Sequence, residues 1–468
     1  MFFAPIKSPS LPTLVERLLS SDLASLIRSI SNDQQVWLVG GALRDHFLDL
    51  REPDLDFAVD GAAISLACRI ADALEVPYYE LDKQRDAARV LLPERGTLDM
   101  ARLRAPTIEE DLSLRDFTMN AMAVSLDDPD RLIDPLGGLQ DLKDSVLRTC
   151  RPDSIDSDAV RSLRAIRLSS SLTLRIEDQS KEQIRRSAAA LSACAAERRR
   201  DELSKMLDPM LAATAMRLMR RLELLPGVLP EQGSLTSDAW ERTLRIVESL
   251  SALMGAVVGG FAPERVSGLH LAEMSLRLGR FREGLGEHLR STLSGGHRSS
   301  QILYLAAMHS ETDDASGTVY SRARDLRYSE AESVRARNIA RHRERASELE
   351  SGISDLGAHR YFRECGAAGV EAAMLYLAIS LSRSTTQDVW ELKVNVVRKL
   401  LEAWFERHDQ IVNPPRLLNG DELARALGLR PGPMIGELLL AISEEQVEGT
   451  IESDDEALEF ARDQLLAP

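Results

Sequence analysis

The sequence predicts a small α/β domain followed by a longer, mainly α-helical part, and two observations lead to this fold class. Up to about Arg151, short apolar runs alternate with turns, namely QVWLV, LDFAV, RVLLP and TLDMARL. Such runs, separated by helix-length connections, are typical of the strands of a small mixed β-sheet with helices. From about Ser157 onward these runs disappear, and Ala, Leu and Arg recur at helical spacing. The chain is therefore expected to form its sheet first and its helices afterwards.

Composition narrows the class of protein. The chain has 468 residues, which is too long for one compact core and predicts roughly two to four units. Hydrophobic residues make up 44% and charged residues 28%, an ordinary balance for a soluble globular protein. No run of about 18 apolar residues occurs, so no membrane span is expected. The first residues contain three prolines and lack a basic region, which predicts a short arm rather than a signal peptide. The four cysteines lie far apart, in no metal-ligand spacing, and fit a reducing cytoplasm.

The net charge of −16 argues against a polyphosphate partner, but the charge is unevenly distributed. Between Val160 and Lys205 there are 11 Arg or Lys against 6 Asp or Glu, a local excess of five. The segment from Glu444 to Asp463 is strongly acidic instead. A basic stretch is usually a solvated face, so this one supports nucleic-acid binding only weakly.

Two acidic residues on one predicted strand indicate a metal site. In the segment DLDFAV, period-two alternation puts Asp54 and Asp56 on one face and Leu55, Phe57 and Val59 on the other, toward a core. Neighbouring carboxylates repel each other and raise each other's pKa unless a cation lies between them. Because oxygen ligands suit Mg²⁺, the pair predicts a magnesium site.

A glycine pair precedes this strand, in the segment VGGALRD. Gly40 and Gly41 let the backbone approach a triphosphate closely, and N–H groups at the start of a following helix would face its oxygens. Arg44 could neutralise the same phosphates. A lone DxD is most often a charged turn, and a lone GG an ordinary turn. Their order here, strand, glycine pair, helix and acidic strand, favours a site for nucleotide phosphates.

These motifs and four later ones resemble the superfamily of class II tRNA nucleotidyltransferases and bacterial poly(A) polymerases. RDFTMNAMA at 115–123 is similar to the family's ribose-reading segment, DPLGGLQDL at 134–142 to the segment after it, and RSLRAIR at 161–167 and ERRRDEL at 197–203 to two neck motifs. The resemblance implies a nucleotidyltransferase head, with a helical neck, body and tail. It implies that Asp116 and Asn120 contact the sugar hydroxyls. The full set implied around the nucleotide is Gly40, Gly41, Arg44, Asp45, Arg115, Asp116, Asn120, Asp158, Arg161 and Arg164.

A third carboxylate, Asp99, is expected beside the first two, because TLDMARL reads as a neighbouring strand. The alternative is an edge-strand acid that faces water. The resemblance implies two-metal nucleotidyl transfer with Asp54, Asp56 and Asp99 as the catalytic carboxylates. One Mg²⁺ ion lowers the pKa of an RNA 3′ hydroxyl, and the other steadies the leaving pyrophosphate. The protein mainly supplies positioning and charge stabilisation.

Base choice is expected to depend on SDAVR at 157–161, which matches the family's Glu-Asp-x-x-Arg cluster. Asp158 and Arg161 share one helix face at a spacing of three. Cytosine and adenine both offer an exocyclic amine beside a ring-nitrogen acceptor, so a carboxylate and a guanidinium together would select them. A surface ion pair is the alternative. Ser157 replaces the family's acid, which puts the fidelity of base choice in question.

The 15 residues between Asp99 and Arg115 are the second departure from the family. Many relatives carry a longer flexible loop here, and it is tied to the switch from C to A. The short segment therefore predicts either a CC-adding enzyme or a switch achieved differently.

The motifs set the expected boundaries: an N-terminal arm at 1–33, the head at 34–152, the neck at 153–232, the body at 233–405 and the tail at 406–468. His288 and His309 fall where related proteins often carry an HD-type phosphohydrolase domain, but Ser310 stands where the acidic ligand would be. The body is therefore expected to be a degenerate, HD-like packing domain without hydrolase activity. The tail segment at 417–439 resembles bacterial tRNA nucleotidyltransferases, and its LRPGP turn either offers N–H groups to RNA phosphates or simply joins two helices.

The sequence thus predicts a cytoplasmic, Mg²⁺-dependent enzyme that uses ATP and CTP to add C, A or both to the 3′ end of tRNA without a template, in CCA addition or repair or in CC addition only. A poly(A) polymerase is the alternative enzyme, since it shares every head motif. A catalytically silent RNA-binding protein is a weaker alternative, because Asp54, Asp56, Arg44 and Asn120 are all intact. An antibiotic-modifying nucleotidyltransferase would need neither the neck pair nor a long helical tail.

Overall fold

A computed structural model gives the fold and describes residues 21–50, 54–93, 96–258, 269–383, 386–430 and 432–466. The chain divides into two compact units. The first contains the described residues up to Cys194 together with Leu218–Gly227, and the second contains Ala195–Arg217 and the described residues from Val228 on. The arm predicted at 1–33 lies partly outside the described residues, and part of its described portion forms helix α1 (Ser21–Ser31).

A seven-stranded mixed sheet is the centre of the first unit. Its strands are β1 (Val36–Val39), β2 (Asp54–Val59), β3 (Tyr78–Asp82), β4 (Ala87–Leu92), β5 (Gly96–Arg102), β6 (Ala123–Ser125) and β7 (Leu132–Ile133), in the spatial order β3-β4-β5-β2-β1-β6-β7. β1 pairs antiparallel with β2 and β6, and β2 pairs parallel with β5. β3, β4 and β5 form an antiparallel meander. The predicted mixed sheet is confirmed, and β3 is an edge strand that the sequence did not reveal.

Helices surround this sheet and complete the first unit. They are α2 (Gly41–Phe47), α3 (Ala63–Leu74), α4 (Ile108–Ser113), α5 (Gly138–Lys143), α6 (Val160–Ser171) and α7 (Asp178–Ser187), with two short parallel strands, β8 (Val146–Leu147) and β9 (Arg175–Ile176). α3 contacts β3, β4 and β5, and its Leu66 and Ile70 are buried. Phe57, Val90 and Met100 of the sheet are buried as well. The core between α3 and the sheet therefore lies on the face opposite to the one that carries the acidic residues of β2.

From Ala196 onward the regular structure of the described residues is helical, as predicted. The helices are α8 (Ala196–Met206), α9 (Ala212–Arg221), α10 (Leu225–Val228), α11 (Pro230–Gly233), α12 (Ser237–Val257), α13 (Leu269–Leu278), α14 (Arg282–Arg290), α15 (Ser299–Met308), α16 (Ala315–Asp325), α17 (Glu330–Arg341), α18 (Asp355–Cys365), α19 (Gly369–Ser382), α20 (Gln387–Phe405), α21 (Gly420–Leu427), α22 (Pro433–Glu448) and α23 (Asp454–Leu466).

The stretch Asp355–Ser382 is long and apolar enough to cross a membrane, by length and composition only. However, 78% of its apolar window is buried inside the protein, and a 3₁₀ turn at Gly366–Ala368 divides it into α18 and α19. Every residue from Gly369 to Ser380 is buried. The stretch therefore supplies the core of the second unit.

The last three helices have a small core of their own, which includes Leu423, Ile435 and Ile442. Glu444 of α22 accepts hydrogen bonds from Arg360 and Arg363 of α18, both at 2.5 Å. The hydrogen bonds from these two arginines lower the pKa of Glu444 to about 2. Charge pairing thus fastens the predicted tail to the rest of the second unit. In the LRPGP turn, Pro431 lies outside the described residues.

Candidate active site in the first unit

Asp54 and Asp56 lie beside β5 on the face of the sheet opposite the core. In the parallel pair of β2 and β5, Asp54 is opposite Thr97 and Asp56 is opposite Asp99. Both β2 carboxylates are exposed and the apolar residues that alternate with them are buried, so the predicted alternation is confirmed. Thr97 Oγ1 donates a hydrogen bond to Asp54 Oδ1 at 2.9 Å. The three carboxylates predicted to be catalytic therefore share one face of two neighbouring strands.

Asp99 is held by an arginine that the sequence analysis did not single out. Arg89 of β4 is the register partner of Asp99, and its Nε and Nη2 each donate to a carboxylate oxygen of Asp99 at 2.6 Å. Asp99 thus stands next to Asp56 as one half of a bidentate ion pair. Within the described part of the chain, no group of three or more His, Cys, Asp or Glu is placed to hold a metal ion. Asp54 and Asp56 stay the predicted metal ligands.

Gly40 and Arg115 border the carboxylate of Asp56. Gly40 has a φ of 80°, and a methyl group on it would lie 3.1 Å from Asp56 Oδ2 and 3.3 Å from Arg115 Nη1. The side chain of Asp56 reaches solvent, yet protein surrounds it on most sides. This burial raises the pKa of Asp56 to about 6, although the Arg115 guanidinium acts in the opposite direction; Asp99 and Asp54 add to the rise.

Five of the residues predicted to bind the nucleotide form one hydrogen-bonded chain. Arg44 donates to both oxygens of Asp45, at 2.7 and 2.5 Å, and to Asn120 Oδ1 at 2.7 Å. Asn120 Nδ2 donates to Asp116 at 3.1 Å, and Arg164 Nη1 donates to the other oxygen of Asp116 at 2.9 Å. Burial alone would raise the pKa of Asp116, but the charge of Arg164 and the hydrogen bond from Asn120 lower it. Asp116 is therefore an ionised, oriented acceptor at neutral pH.

Arg161, predicted to read the base, is held mainly by backbone carbonyls. Its Nη1 donates to the carbonyl oxygen of Ser154 at 3.1 Å, and its Nη2 to that of Leu114 at 3.2 Å. Its Nε lies 4.0 Å from the carboxylate of Asp158. Ser157, which replaces the family's acid, turns its hydroxyl to the carbonyl of Ser154 at 2.9 Å. The predicted pair of Asp158 and Arg161 is present, but its two charged groups lie 4.0 Å apart. Backbone carbonyl oxygens hold the Arg161 guanidinium, a role that the family's acid at position 157 would otherwise have.

The short segment between Asp99 and Arg115 is folded around one buried acid. Thr107 caps α4, and Asp111 accepts hydrogen bonds from the backbone N and the Nε of Arg104, both at 3.0 Å. Asp111 also pairs with Arg115 Nη2 at 3.4 Å. Burial would raise the pKa of Asp111, but the hydrogen bonds from Arg104 and the charge of Arg115 lower it. The segment thus positions Arg115 beside Asp56.

The two histidines singled out in the second unit are each paired with a glutamate. His309 Nε2 lies 2.6 Å from Glu231 Oε1, and Arg322 pairs with the same glutamate at 3.0 Å. His288 Nε2 lies 3.2 Å from the fully buried Glu371. These contacts are those of packing and ion pairing, and the degenerate HD-like domain stays a prediction.

Sequence reasoning missed Arg89, Arg104 and Asp111. Arg89 stands in a predicted strand, RVLLP, but its contact with Asp99 depends on the register between two strands. Arg104 and Asp111 lie in a segment that was read only by its length. A hairpin register for β4 and β5 would have found Arg89, because it puts Arg89 and Asp99 on the same face.

Family comparisons agree with this site. Residues 94–148 match the Poly A polymerase head domain, 173–235 match the probable RNA and SrmB-binding site of polymerase A, and 362–461 match the putative tRNA nucleotidyltransferase domain 2. Among curated relatives, a CC-adding tRNA nucleotidyltransferase of Geobacter sulfurreducens is 39% identical over 193 residues, which are 41% of this chain and 45% of that protein.

Two further comparisons extend over the whole chain. An A-adding tRNA nucleotidyltransferase of Deinococcus radiodurans is 31% identical over 443 residues, 91% of this chain and 94% of that protein. A solved CCA-adding enzyme in complex with CTP shares the fold with a TM-score of 0.68 at 22% identity, over 98% of this chain and 99% of that one. With a relative of this identity matched along nearly its full length, and with the head, neck and tail motifs in order, the chain belongs to the class II tRNA nucleotidyltransferases.

Proposed function

We propose that this enzyme adds C, A or both to the 3′ end of tRNA, taking each nucleotide from CTP or ATP. One observation supports the proposal most directly. The first unit contains both the acidic pair of Asp54 and Asp56 and the hydrogen-bonded chain from Arg44 through Asn120 to Asp116. In the reaction, the 3′ oxygen of the RNA forms a bond to the α-phosphorus. The bond from that phosphorus to the bridging oxygen breaks, pyrophosphate leaves, and the hydroxyl proton passes to solvent.

Enzymes of this family generally use Mg²⁺, and the acidic residues of β2 fit such an ion. Asp54 and Asp56 are hard oxygen ligands on one exposed strand face, the kind of partial ligand set that Mg²⁺ completes with water and phosphate oxygens. A carboxylate whose burial raises its pKa gains from a nearby cation, which supports Asp56 as a ligand. Bound Mg²⁺ would make the 3′ hydroxyl a better nucleophile and neutralise charge on the leaving group. Asp99 is proposed as the third catalytic carboxylate, positioned by Arg89.

The remaining residues position the nucleotide. Gly40 and Gly41 allow the triphosphate to approach the backbone. Arg44, oriented by Asp45 and Asn120, faces the phosphates with a fixed positive charge. Asp116 and Asn120 orient the ribose hydroxyls. Arg164 keeps Asp116 ionised, so it remains an acceptor throughout the reaction.

Asp158 and Arg161 are proposed to select cytosine and adenine through the amine and ring-nitrogen edge that these bases share. Carbonyl oxygens of Leu114 and Ser154 support this role, because they fix the guanidinium without an acid at position 157. The absence of that acid is therefore compatible with an oriented base reader.

A poly(A) polymerase is not favoured, although the head is of a kind named for that enzyme. Residues 362–461 match a putative tRNA nucleotidyltransferase domain, and the Deinococcus radiodurans relative, which is matched over 94% of its length, is an A-adding tRNA nucleotidyltransferase. We place the reaction in the cytoplasm, in keeping with a tRNA substrate and with the free thiols of Cys68, Cys150, Cys194 and Cys365.

The test is incubation of the purified enzyme and Mg²⁺ with tRNA transcripts that end before CCA, after C, or after CC. Each nucleotide is supplied singly and in mixtures, and the double variant Asp54→Ala/Asp56→Ala is the blank. Addition of three nucleotides identifies a CCA-adding enzyme, a stop after two identifies CC addition, and extension only after CC identifies A addition. Long A-tails, or no incorporation into any RNA, would contradict the proposal.

A further inference from the structure

The catalytic face of the sheet continues beyond Asp99 onto the two outermost strands. Cross-strand register places Asp56 opposite Asp99, Asp99 opposite Arg89, and Arg89 opposite Tyr79. Register partners point to the same face, so the four side chains form one line across β2, β5, β4 and β3. We call Arg89 and Tyr79 the outer row. With strands about 4.8 Å apart, the outer row extends about 14 Å from Asp56.

Several of the predicted nucleotide ligands lie on the other side of Asp56. Gly40 and Gly41 follow β1, and Arg44 belongs to α2, which contacts β1. Asn120 and Asp116 precede β6, the next strand beyond β1. An in-line displacement requires the attacking oxygen and the leaving group on opposite sides of the α-phosphorus. A triphosphate on the β1 side therefore brings the 3′ hydroxyl in from the side of β5, β4 and β3.

The outer row has the chemistry to receive a nucleotide. The Arg89 side chain is 33% exposed, and Asp99 takes two of the five N–H donors of its guanidinium, which leaves donors for a phosphate oxygen. Its charge also offsets the repulsion that the carboxylates beside it exert on an approaching phosphate. Tyr79 is 44% exposed and presents an aromatic ring next to that guanidinium. Exposed aromatic rings beside a positive charge are typical of surfaces that stack single-stranded bases.

We propose that the outer row binds the terminal nucleotide of the RNA acceptor, with Arg89 on its phosphate and Tyr79 stacked on its base. This inference rests on the proposed function, since it names where that reaction's acceptor lies. Asp99 links the outer row to the metal carboxylates, because the same arginine contacts both the acceptor phosphate and Asp99. Stacking on a phenol ring accepts any base, which suits an acceptor end whose terminal base changes with each addition.

The alternative is that Tyr79 is an ordinary edge-strand residue, since tyrosine favours strands for steric reasons alone. The two are separated by comparing Tyr79→Leu with Leu81→Ala. Leu81 is 47% exposed on the same edge strand but lies outside the row. For Tyr79→Leu we expect the KM for tRNA to rise about 5- to 100-fold, with the KM for CTP or ATP unchanged. Leu81→Ala should leave both values near wild type, and Tyr79→Phe should recover most of the lost affinity.

A binding measurement separates this inference from the proposed function. A tRNA transcript with 2-aminopurine as its terminal base is titrated with enzyme in the absence of nucleotide. If the wild type quenches the 2-aminopurine fluorescence and Tyr79→Leu does not, the proposed role of the outer row is supported. This holds even if no RNA is extended, because a failure to extend RNA contradicts only the proposed function. Arg89→Gln should also weaken the salt dependence of this binding by about 0.7 in the log–log slope. If the wild type extends tRNA but Tyr79→Leu behaves like Leu81→Ala in both assays, the proposed binding of the acceptor nucleotide by the outer row is wrong and the proposed function stands.

Discussion

Asp56 carries a charge at neutral pH in a place where burial opposes ionisation. Its pKa of about 6 in the folded chain lies above the ordinary value of an aspartate. Below pH of about 4 the group is protonated in both the folded and the unfolded chain, and its titration does not affect stability. Between about pH 4 and 6 the unfolded chain ionises first, so stability falls as pH rises and stays lower above 6.

Replacement of Asp56 should therefore lower the activity and raise the stability of the folded chain. We expect Asp56→Asn to lower kcat at least about 100-fold, because a metal ligand is lost. In EDTA at pH 7.5 the same variant should unfold at a higher temperature than the wild type, by about 1 kcal/mol of unfolding free energy after screening by solvent. At pH 4.5 the gain should largely vanish, and Mg²⁺ should stabilise the wild type more than the variant.

The control for Asp56 is Asp60→Asn, an exposed acid just beyond the end of the same strand. Differential scanning calorimetry of the three proteins at both pH values measures the effect. Equal melting temperatures for Asp56→Asn and the wild type at pH 7.5 in EDTA would contradict the inference that ionised Asp56 destabilises the folded chain.

Gly40 is a second residue whose identity is determined by its backbone conformation and by its neighbours. Its φ of 80° costs a residue with a side chain about 1–2 kcal/mol, and an added methyl group would lie 3.1 Å from Asp56 Oδ2. We expect Gly40→Ala to lower kcat about 10- to 100-fold by displacing the carboxylate or Arg115. Gly296→Ala is the matched control, because Gly296 has a φ of 91° and no atom within 4 Å of the added carbon. Steady-state kinetics should find kcat lowered only in Gly40→Ala; equal kcat values would exclude crowding as the cause.

At the scale of elements, strands with a clear pattern could be predicted and their partners could not. Alternation in DLDFAV placed both acids of β2 correctly, since the period of a strand is a local property. β3 went unrecognised because YYELD lacks apolar alternation, as suits an edge strand whose side chains are largely exposed. The pairing of Arg89 with Asp99, and the contact of Gly40 with Asp56, depend on register and tertiary packing, which one sequence does not encode locally.

The segment before Arg115 allows a prediction for α4. Asp111 is 2% exposed and holds both Arg104 and Arg115, so Asp111→Asn should destabilise the chain by about 2 kcal/mol at pH 7. Because the pKa of Asp111 lies below its ordinary value, this difference should shrink as pH falls below about 4. Freed from Asp111, Arg115 should lose its position beside Asp56, and the KM for CTP and ATP should rise several-fold. Urea unfolding and kinetics of Asp111→Asn and of the exposed neighbour Glu110→Gln measure both effects. Identical behaviour of the two variants would contradict the role of Asp111 in positioning Arg115.

At the scale of the whole molecule, the chain combines a unit that carries the candidate active site with a mainly helical unit in which His288 and His309 are paired with glutamates. The sequence predicted a sheet followed by helices from texture alone, because a helical body needs only periodic apolar residues. It could not predict the partners of His288 and His309, since the glutamates that bind them stand far away in sequence, at Glu371 and Glu231.

The network around Glu231 gives the last prediction. Burial would raise the pKa of Glu231, but hydrogen bonding to His309 and the charge of Arg322 lower it, so its stabilising effect is present at neutral pH and lost on acidification below about 4. Glu231→Gln removes the charge that Arg322 and His309 share, and we expect a loss of about 2–3 kcal/mol in the free energy of unfolding at pH 7. Glu344→Gln, which breaks an exposed pair with Arg383, should cost less than 1 kcal/mol.

Urea unfolding followed by circular dichroism measures both variants, and phosphatase assays with Mg²⁺, Mn²⁺ and Ni²⁺ accompany it. If His309 belongs to packing, neither the wild type nor Asp54→Ala/Asp56→Ala should hydrolyse a phosphate ester. Glu231→Gln should then lose stability without any hydrolase activity to lose. A metal-dependent phosphatase activity that survives loss of Asp54 and Asp56 but disappears in Glu231→Gln would instead make this network a second reaction site, because a group that serves only packing has no reason to control hydrolysis.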